Sequence, residues 1–366
     1  MQNRWPFSRV VDALPPSVPF VPPEALERRI GRALRLRVGA NESNFGASPR
    51  ALAAMREAAD DVHWYGDSEG HALRQALANK HGVDSSEVAL GSGIDELLGL
   101  FVRLFVNPGD PVVTSLGAYP TFNYHVDGYG GGLHCVPYKD DCEDLQGLEE
   151  MARRQEPKLV YVVNPDNPMG TWHQSEALAA LAANLPEQSL LLLDEAYADF
   201  APQEALLRPD VNGACIVHLR TFSKAHGMAG ARIGYAIAPR ALVEGLDKIR
   251  NHFGINRVAF AGALASLEDG EYVRSVVAQV EQGKREYARL ARSLGTRIVP
   301  SATNFVALDA GSGTRARALV AALLDRGIFV RMPSVSPLDR FIRITVGPAP
   351  ERALLAEELQ TVWKEV

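Results

Sequence analysis

The segment RTFSKAHGMAGARIG (220–234) contains a lysine and, eight positions later, an arginine. A lysine amine forms a Schiff base readily only when its surroundings favour the neutral amine. The guanidinium of Arg232 offers a planar fork that binds phosphate. Lys224 beside such an anion site therefore indicates a covalent partner that is a phosphorylated aldehyde, such as pyridoxal phosphate.

A lone lysine is most often a solvated surface cation, but the residues before Lys224 argue against this. The run CIVHLRT (215–221) is apolar and β-branched, as expected of a buried parallel strand. Thr221, Ser223 and Lys224 would lie at its carboxyl end, where ligands bind in open α/β sheets. The two glycines that follow would let the chain fold back and bring Arg232 to the same place.

A carboxylate and two polar side chains follow other predicted strands. The run LLLLDEAY (190–197) contains Asp194 and Glu195, and a carboxylate there can pair with a protonated pyridine nitrogen. The alternative for Asp194 is a helix N-cap. Tyr197 and Asn167 can reach the phenolic oxygen of the same ring, although the segment NPDNPMG around Asn167 also fits an ordinary turn.

A phosphate can bind where a strand passes into a helix at LGSGIDELLGLF (90–101). The backbone amides of Gly93, Ile94 and Asp95 would face it at the helix N-terminus. The segment is not a dinucleotide fingerprint, because Glu96 stands where the third glycine belongs, and the sequence has no GK[ST] motif.

Two further side chains are candidates for contacts with a ring and with an anion. Phe122, in AYPTFNYH, can stack on the pyridine ring, although an aromatic residue beside a strand is usually part of the core. Arg343, in FIRITVG, has apolar neighbours at Phe341, Ile342 and Ile344 that predict a buried strand. A buried arginine needs an anionic partner, and a substrate carboxylate would serve.

Composition limits the class of protein. The 366 residues are 46% hydrophobic and 22% charged, and the net charge of −6 argues against nucleic acid as a main partner. No apolar run is long enough to span a bilayer, and the first residues lack a signal-peptide core. The cysteines Cys135, Cys142 and Cys215 have no CxxC spacing, so we expect no metal site and no disulfide framework. These features favour the cytoplasm.

The elements that position these residues follow an α/β order. Six strand-like runs alternate with amphipathic helical stretches and predict a mostly parallel sheet covered by helices; they are 87–92, 111–115, 159–164, 190–197, 215–221 and 232–238. After residue 250 a long polar helix (268–295), two strands and two helices predict a smaller α+β unit. We expect residues 1–40 to form an extended, proline-rich N-terminal arm and part of the small domain, 41–250 the large domain, and 251–366 the small domain.

Taken together and in this order, the motifs resemble those of the fold-type I pyridoxal-phosphate-dependent aminotransferases of class I and II. The similarity extends over nearly the whole chain, is most specific in RTFSKAHGMAGARIGYAIA and FIRITVG, and is closest to the histidinol-phosphate aminotransferase subfamily. It implies the fold-type I architecture, a homodimer with shared active sites, and an amino donor and a 2-oxo acid, commonly 2-oxoglutarate, as small-molecule substrates.

The resemblance also implies a role for each residue. Lys224 would be the Schiff-base lysine and proton shuttle, with Asp194 on the pyridine nitrogen. The other expected cofactor contacts are Asn167 and Tyr197 on the ring oxygen, Phe122 on the ring face, Gly93, Ile94, Asp95, Thr221, Ser223 and Arg232 on the phosphate, and Tyr65 on the phosphate in the neighbouring subunit. The expected substrate contacts are Arg343, Arg331, Asn41 and position 20.

Around the substrate the sequence departs from the subfamily pattern. Arg331 matches the arginine that those enzymes use on the substrate phosphate, but Phe20 replaces a phosphate-contacting tyrosine. NESNFGASP lacks the proline usual after NE, WYGD replaces YPD, Met169 replaces a threonine, and Asp309 stands where an arginine is common. Histidinol phosphate and an aromatic or other amino acid therefore both remain candidate donors.

Two other classes of function are open on the same scaffold. Decarboxylases of threonine phosphate share it, and nothing in the sequence reports how the substrate α-carboxylate is oriented to the ring. A non-catalytic pyridoxal-phosphate sensor in a transcription factor would need an attached helix-turn-helix. The segment before residue 40 is too short and proline-rich for one.

Overall fold

The computed structural model describes residues 5–15, 21–211, 213 and 215–366. The expectation for Phe20 therefore lies outside the described residues. The strands are β1 (Leu36–Arg37), β2 (Val88–Gly91), β3 (Pro111–Ser115), β4 (Gly132–Val136), β5 (Leu159–Val163), β6 (Leu190–Asp194), β7 (Ile216–Thr221), β8 (Gly234–Ile237), β9 (Phe305–Asp309), β10 (Ile328–Phe329) and β11 (Phe341–Thr345).

Helices alternate with these strands through the first two thirds of the chain, and further helices follow in the last third. In chain order, the helices are α1 (Arg9–Ala13), α2 (Pro23–Ile30), α3 (Pro49–Ala59), α4 (His71–His81), α5 (Ile94–Phe105), α6 (Pro120–Tyr129), α7 (Leu145–Gln155), α8 (Ser175–Asn184), α9 (Arg240–Asp247), α10 (Arg257–Glu268), α11 (Gly270–Ser293), α12 (Gly313–Asp325) and α13 (Ala349–Glu365).

Within the described residues, the central sheet has seven strands in the order β2-β8-β7-β6-β5-β3-β4. All of its neighbouring pairs are parallel except those of β8, which runs antiparallel to both β7 and β2. Every residue of β5 and of β6 is buried, as continuous apolar runs predict for strands covered by helices on both faces. The predicted α/β fold with a mostly parallel sheet is confirmed. Strand β4 was not predicted, because its sequence GLHCV is only partly apolar and mostly half-buried at the sheet edge.

The second core is formed by both ends of the chain. Strands β9 and β11 pair antiparallel, and β1 pairs with β10 in parallel, joining residues 36 and 37 to residues 328 and 329. Val38 is buried in one cluster with Phe305 and Trp363. Residues 36–38 thus pack with the strands and helices of the smaller α+β unit.

Along the chain, the passage from the first core to the second lies later than the predicted boundary at residue 250, as the packing of α10 and α11 shows. Helix α10 was not predicted, and its Ala259 and Ala263 are buried with Ala51 of α3 and Leu77 of α4. Val273 of α11 is the first later residue that is buried in the second core. The reason is that the apolar stripe of α10 faces helices that precede the central sheet.

The proline-rich N-terminal arm is not simply extended, which corrects the prediction. Ser8 caps α1 by accepting a hydrogen bond from the backbone N–H of Val11 at 3.3 Å. Pro23 occupies the first turn of α2, where a missing N–H costs nothing, and Gly31 ends that helix with a φ of 71°. Prolines therefore start a helix here instead of preventing one.

Among the described residues, none of the helices combines the length and the hydropathy that a membrane span requires.

Candidate active site

The carboxyl ends of β5, β6 and β7 meet at one edge of the central sheet. The register places Val163 opposite Asp194, and Asp194 opposite Leu219. Beyond this edge lies a cavity of about 230 Å³, which we call the inner cavity. Its lining includes the expected residues Ile94, Asp95, Asn167, Asp194, Tyr197, Thr221, Ser223, Lys224 and Arg232.

Lys224 extends from the loop after β7 into the inner cavity and is half-buried. Its Nζ donates a hydrogen bond to the backbone oxygen of Asn41 at 3.1 Å and lies 5.7 Å from the centroid of the Tyr197 ring. Burial, and secondly the positive charge of Arg343, lower the pKa of Lys224 to about 8. Near neutral pH this amine is therefore deprotonated far more often than a surface lysine, as a nucleophile or base requires.

Asp194 is the buried carboxylate of the inner cavity. Its Oδ2 accepts from the hydroxyl of Tyr161 at 2.7 Å, and its Oδ1 accepts from the backbone N–H of Ala196 at 3.0 Å. Burial raises the pKa of Asp194 to about 6, so a cation beside it would favour its ionised form. It is not a helix N-cap, since the short helical turn that follows begins only at Ala198.

Glu195, the other carboxylate of that run, points into a separate contact. Its Oε2 accepts from Nε of Arg220 at 2.9 Å and lies 3.1 Å from Nδ1 of His218. Glu195 does not line the inner cavity. Of the two adjacent carboxylates, only Asp194 is therefore placed to meet a ligand.

Another part of the lining of the inner cavity is an anion cradle at the start of α5. Gly93 has a φ of 86°, and a Cβ there would lie 2.5 Å from Nη2 of Arg232, so only glycine lets the arginine approach. Arg232 Nη2 donates to the backbone oxygen of Ser92 and to Oδ2 of Asp95, both at 3.3 Å. The backbone N–H groups of Ile94 and Asp95 lie in the first turn of α5, where no intrahelical partner is available.

Two hydroxyls complete the cradle from the end of β7. Thr221 Oγ1 donates to Ser223 Oγ at 2.9 Å and accepts from the backbone N–H of Ser223 at 3.0 Å. Both residues are buried. A guanidinium, two hydroxyls and a helix N-terminus thus face one small volume, a donor set that suits a phosphate.

Phe122 does not have the predicted position on a ligand ring. It is fully buried and stacks on Tyr161 with centroids 4.3 Å apart. The aromatic residue that lines the inner cavity is Tyr119, and its hydroxyl donates to Oδ1 of Asp95 at 2.9 Å. The prediction named the wrong aromatic residue, because Pro120 starts α6 and turns Phe122 towards the sheet while Tyr119 remains at the cavity.

Asn41 lies between the two cores and is bound to both. Its Nδ2 donates to the hydroxyl of Tyr197 at 2.9 Å, and its backbone N–H donates to Oγ1 of Thr345 at 3.1 Å. Nδ2 of Asn304 donates to the backbone oxygen of Asn41 at 3.2 Å. Asn41 is left-handed, with a φ of 56°, and these contacts hold Tyr197 and Lys224 in place.

A second, larger cavity of about 680 Å³ adjoins the inner one, and we call it the outer chamber. The residues that line both cavities are Ala40, Tyr119, Asn167, Tyr197 and Lys224. The amine of Lys224 therefore stands where the two cavities join.

Arg343 and Arg331 both line the outer chamber, as expected for substrate-binding residues. Arg343 Nη1 donates to Oδ1 of Asn167, and burial lowers the pKa of Arg343 to about 10. The backbone N–H of Arg343 donates to the oxygen of Arg331 at 2.6 Å. Side-chain Nη2 of Arg331 donates to the backbone oxygen of Val21 at 3.1 Å. The pairing of β11 with the segment after β10 thus brings two guanidinium groups to one wall.

The charged side chains in the described lining of the outer chamber are all cationic. Among the described residues, its lining contains the cationic side chains Arg29, Lys224, Arg331 and Arg343 and no Asp or Glu. A cavity with cations and no opposing carboxylate attracts anionic ligands.

Two positions discussed from the sequence lie elsewhere. Tyr65 is 77% exposed, outside both cavities, and its ring lies 4.6 Å from that of Phe253. Asp309 is not a specificity position, because its Oδ2 contacts Arg340 Nε at 3.3 Å and Arg297 Nη2 at 3.5 Å, away from the outer chamber.

Sequence reasoning missed a buried contact behind Asn167. Asp166 accepts from the hydroxyl of Tyr138 at 2.8 Å and from the backbone N–H of Met169 at 3.0 Å. Burial raises the pKa of Asp166 to about 7. The motif NPDNPMG contained Asp166 as a signal, whereas nothing in the sequence indicated Tyr138. Among the described residues, no group of three or more His, Cys, Asp and Glu side chains is placed to hold a metal ion.

A lysine amine, a buried carboxylate and an anion cradle at the ends of neighbouring parallel strands define an α/β enzyme that holds an anionic cofactor beside a nucleophilic amine. Residues 35–361 match the family described as Aminotransferase class I and II. The chain belongs to this family, and the expected fold-type I relationship is confirmed.

Several similar proteins are described as histidinol-phosphate aminotransferases. The chain is 34% identical over 362 residues to histidinol-phosphate aminotransferase 2 of Carboxydothermus hydrogenoformans, covering 97% of this chain and 98% of the relative. It is 38% identical over 344 residues to histidinol-phosphate aminotransferase of Anaeromyxobacter sp., covering 92% and 93%. The crystal structure of histidinol-phosphate aminotransferase from Sinorhizobium meliloti in complex with pyridoxal-5'-phosphate has 48% identity and a TM-score of 0.96, and covers 100% of this chain and 99% of that one.

Proposed function

We propose that the protein is a pyridoxal-phosphate-dependent aminotransferase that converts histidinol phosphate and 2-oxoglutarate to imidazole-acetol phosphate and glutamate. Relatives of that activity at 34%, 38% and 48% identity support the assignment. The observation that carries it is the outer chamber, whose described lining contains Arg331, Arg343 and Lys224 and no Asp or Glu.

The inner cavity fits pyridoxal phosphate. The phosphate would bind in the cradle of Gly93, Arg232, Thr221 and Ser223, where a Cβ at Gly93 would collide with the arginine. Asp194, at the other end, is a buried carboxylate that needs a cationic partner, and a protonated pyridine nitrogen is one. These residues bind an elongated group that is anionic at one end and cationic at the other.

The bound cofactor supplies an electron sink for the charge that develops at the substrate α-carbon. Lys224 Nζ holds the cofactor and, once freed, moves the α-proton, because its lowered pKa makes the neutral amine available. Asp194 keeps a proton on the ring nitrogen. Tyr119 would supply an aromatic contact to the ring, and Asn167 and Tyr197 would supply polar contacts, since all three line both cavities.

The arginine pair suits both half-reactions. Histidinol phosphate carries a phosphoester on the carbon next to its α-carbon, where glutamate carries a carboxylate. Arg343 and Arg331 can therefore bind the phosphate in one half-reaction, and Arg343 the α-carboxylate in the other. Asn167 fixes the direction of the Arg343 fork by accepting its Nη1–H.

An aromatic amino-acid aminotransferase is the second candidate. Part of the outer-chamber wall is apolar, including Leu116, Phe329 and Met332, and an aromatic side chain would pack against it. An apolar wall alone gives no role to the two arginines of the chamber, Arg331 and Arg343, whereas a donor with a phosphate uses both.

A homodimer in the cytoplasm is part of the proposal. Trp64, Tyr65 and Phe253 are 60%, 77% and 51% exposed and form an aromatic patch that a second copy would cover. In such a dimer Tyr65 would reach the cofactor phosphate of the other subunit. The cysteines are free thiols, which is compatible with a reducing compartment.

Replacing Arg331 tests the substrate assignment. We expect Arg331→Ala to lower kcat/KM for histidinol phosphate by about 100-fold, since a charged hydrogen-bonding partner of the phosphate is lost. The loss for phenylalanine should stay below about tenfold, and Arg331→Lys should recover part of the phosphate preference. Steady-state kinetics with both donors decides, and equal losses for the two would contradict a phosphate-binding Arg331.

A further inference from the structure

Arg29 of α2 lines the outer chamber although no feature of the sequence singled it out. Leu26, three residues earlier on the same helix, is buried and lines the same chamber. Residues three apart on a helix share one face. The face of α2 that carries Leu26 and Arg29 therefore forms part of the chamber wall.

The position of α2 is fixed by contacts on its other sides. Glu24 pairs with Arg37 at 2.8 Å, and Oε1 of Glu27 accepts from the backbone N–H of Leu34 at 3.0 Å. Just before the helix, the backbone oxygen of Val21 accepts from Arg331 Nη2 at 3.1 Å. The helix that carries Arg29 is thus tied directly to the arginine proposed for phosphate binding.

Arg29 is a cationic side chain in the lining of the chamber. No Asp or Glu occurs among the described lining residues, so an anion that enters the chamber meets its guanidinium without a competing carboxylate there. A phosphate monoester carries close to two negative charges and three strong acceptor oxygens near neutral pH, so it can accept hydrogen bonds from a third guanidinium besides those of Arg331 and Arg343.

We propose that Arg29 is a further specificity-determining residue, which together with Arg331 binds the phosphate of the amino donor. This inference rests on the proposed function and deepens it. Because Arg29 is exposed at the rim, part of its contribution is long-range attraction, which salt screens.

The test compares Arg29→Gln with Arg28→Gln in the holoenzyme. Arg28 is equally exposed on the same helix but does not line the chamber. We expect Arg29→Gln to raise KM for histidinol phosphate by about tenfold, as for loss of one charged hydrogen bond. Its kcat/KM should also fall less with added salt than that of the wild type. Arg28→Gln should match the wild type in both measurements.

A second readout separates this inference from the proposed function. Inorganic phosphate, used as a competitive inhibitor of the glutamate half-reaction, should have an inhibition constant about five- to tenfold higher in Arg29→Gln than in Arg28→Gln. Equal inhibition constants and equal KM values in the two variants would overturn the role of Arg29 even if histidinol phosphate is the donor. A difference in phosphate inhibition would support it even if another donor is preferred.

Discussion

The inner cavity and the outer chamber are built in different ways from the same chain. Most residues that line the inner cavity end or follow β5, β6 and β7 or begin α5, which are neighbours in one sheet and its covering helix layer; Ala40, Glu42 and Tyr119 join them. The outer chamber is lined by segments far apart in sequence, from α2 at one end to β11 at the other, and it is about three times larger.

This difference assigns the chemical step to the inner cavity and the selection of the ligand to the outer chamber. Side chains at the ends of buried parallel strands are held by the sheet itself, so the lysine, the carboxylate and the cradle have little freedom. Side chains of the outer chamber depend on how the two cores pack and on where α2 is tied by its ion pair and backbone contacts. Such a wall can change its ligand while the sheet keeps the amine in position.

The largest expected effect is at the junction of the two cavities. Lys224→Ala should lose the covalently retained pyridoxal phosphate and lower turnover by about 10⁴-fold, since both the attachment point and the base are removed. Absorbance after gel filtration and a turnover assay measure this. Lys248→Ala, at an exposed lysine, is the control. Cofactor colour that persists in Lys224→Ala would disprove the attachment site.

Phe122 and Tyr119 test the difference between a residue of the hydrophobic core and a residue of the inner cavity. Phe122→Ala should destabilise the fold by about 3–5 kcal/mol, because a fully buried ring stacked on Tyr161 is removed. Tyr119→Ala should instead weaken cofactor retention, by about 1 kcal/mol, with less effect on unfolding. Thermal unfolding of the cofactor-free proteins and titration with pyridoxal phosphate separate the two effects. If Phe122→Ala instead weakened cofactor retention and Tyr119→Ala destabilised the fold, Phe122 would be the residue that contacts the cofactor ring.

The smallest expected effect is a change in the pH dependence of cofactor attachment. It links Arg343 of the outer chamber to the amine of Lys224. The rate at which pyridoxal phosphate attaches to the cofactor-free protein should rise with pH to a midpoint near 8, because only the neutral Lys224 amine attacks and burial lowers its pKa. Arg343→Met should move this midpoint upward, since Arg343 is the second cause of the lowered pKa. Stopped-flow absorbance gives both midpoints. An unchanged midpoint in Arg343→Met would mean that the chamber arginine does not influence the amine.

Much of the inner cavity was predictable from the sequence, for a physical reason. Continuous apolar runs identify buried parallel strands, and polar residues at their ends must gather at one sheet edge, which is why Asp194, Thr221 and Lys224 were found together. The error at Phe122 arose because two aromatic residues flank Pro120, and only the start of α6 decides which one faces the cavity.

The outer chamber was less predictable because its residues meet through tertiary packing. Arg331 and Arg343 were identified by resemblance, whereas Arg29 lies in a segment that looked like an extended arm. The helix that carries Arg29 is held by contacts with residues 34 and 37, which lie outside the helix. The burial of α10 against α3 was missed for a similar reason, since its apolar stripe does not reveal which core it joins.

A screen of amino donors by single half-reaction tests the central claim most directly, that the inner cavity performs transamination and the outer chamber selects a phosphate-bearing donor. The holoenzyme is mixed with histidinol phosphate, phenylalanine, glutamate or leucine, and conversion to pyridoxamine phosphate is followed by absorbance. We expect histidinol phosphate to react with a rate constant over KM at least about 100-fold above that of phenylalanine. Equal or faster conversion by phenylalanine would contradict the account.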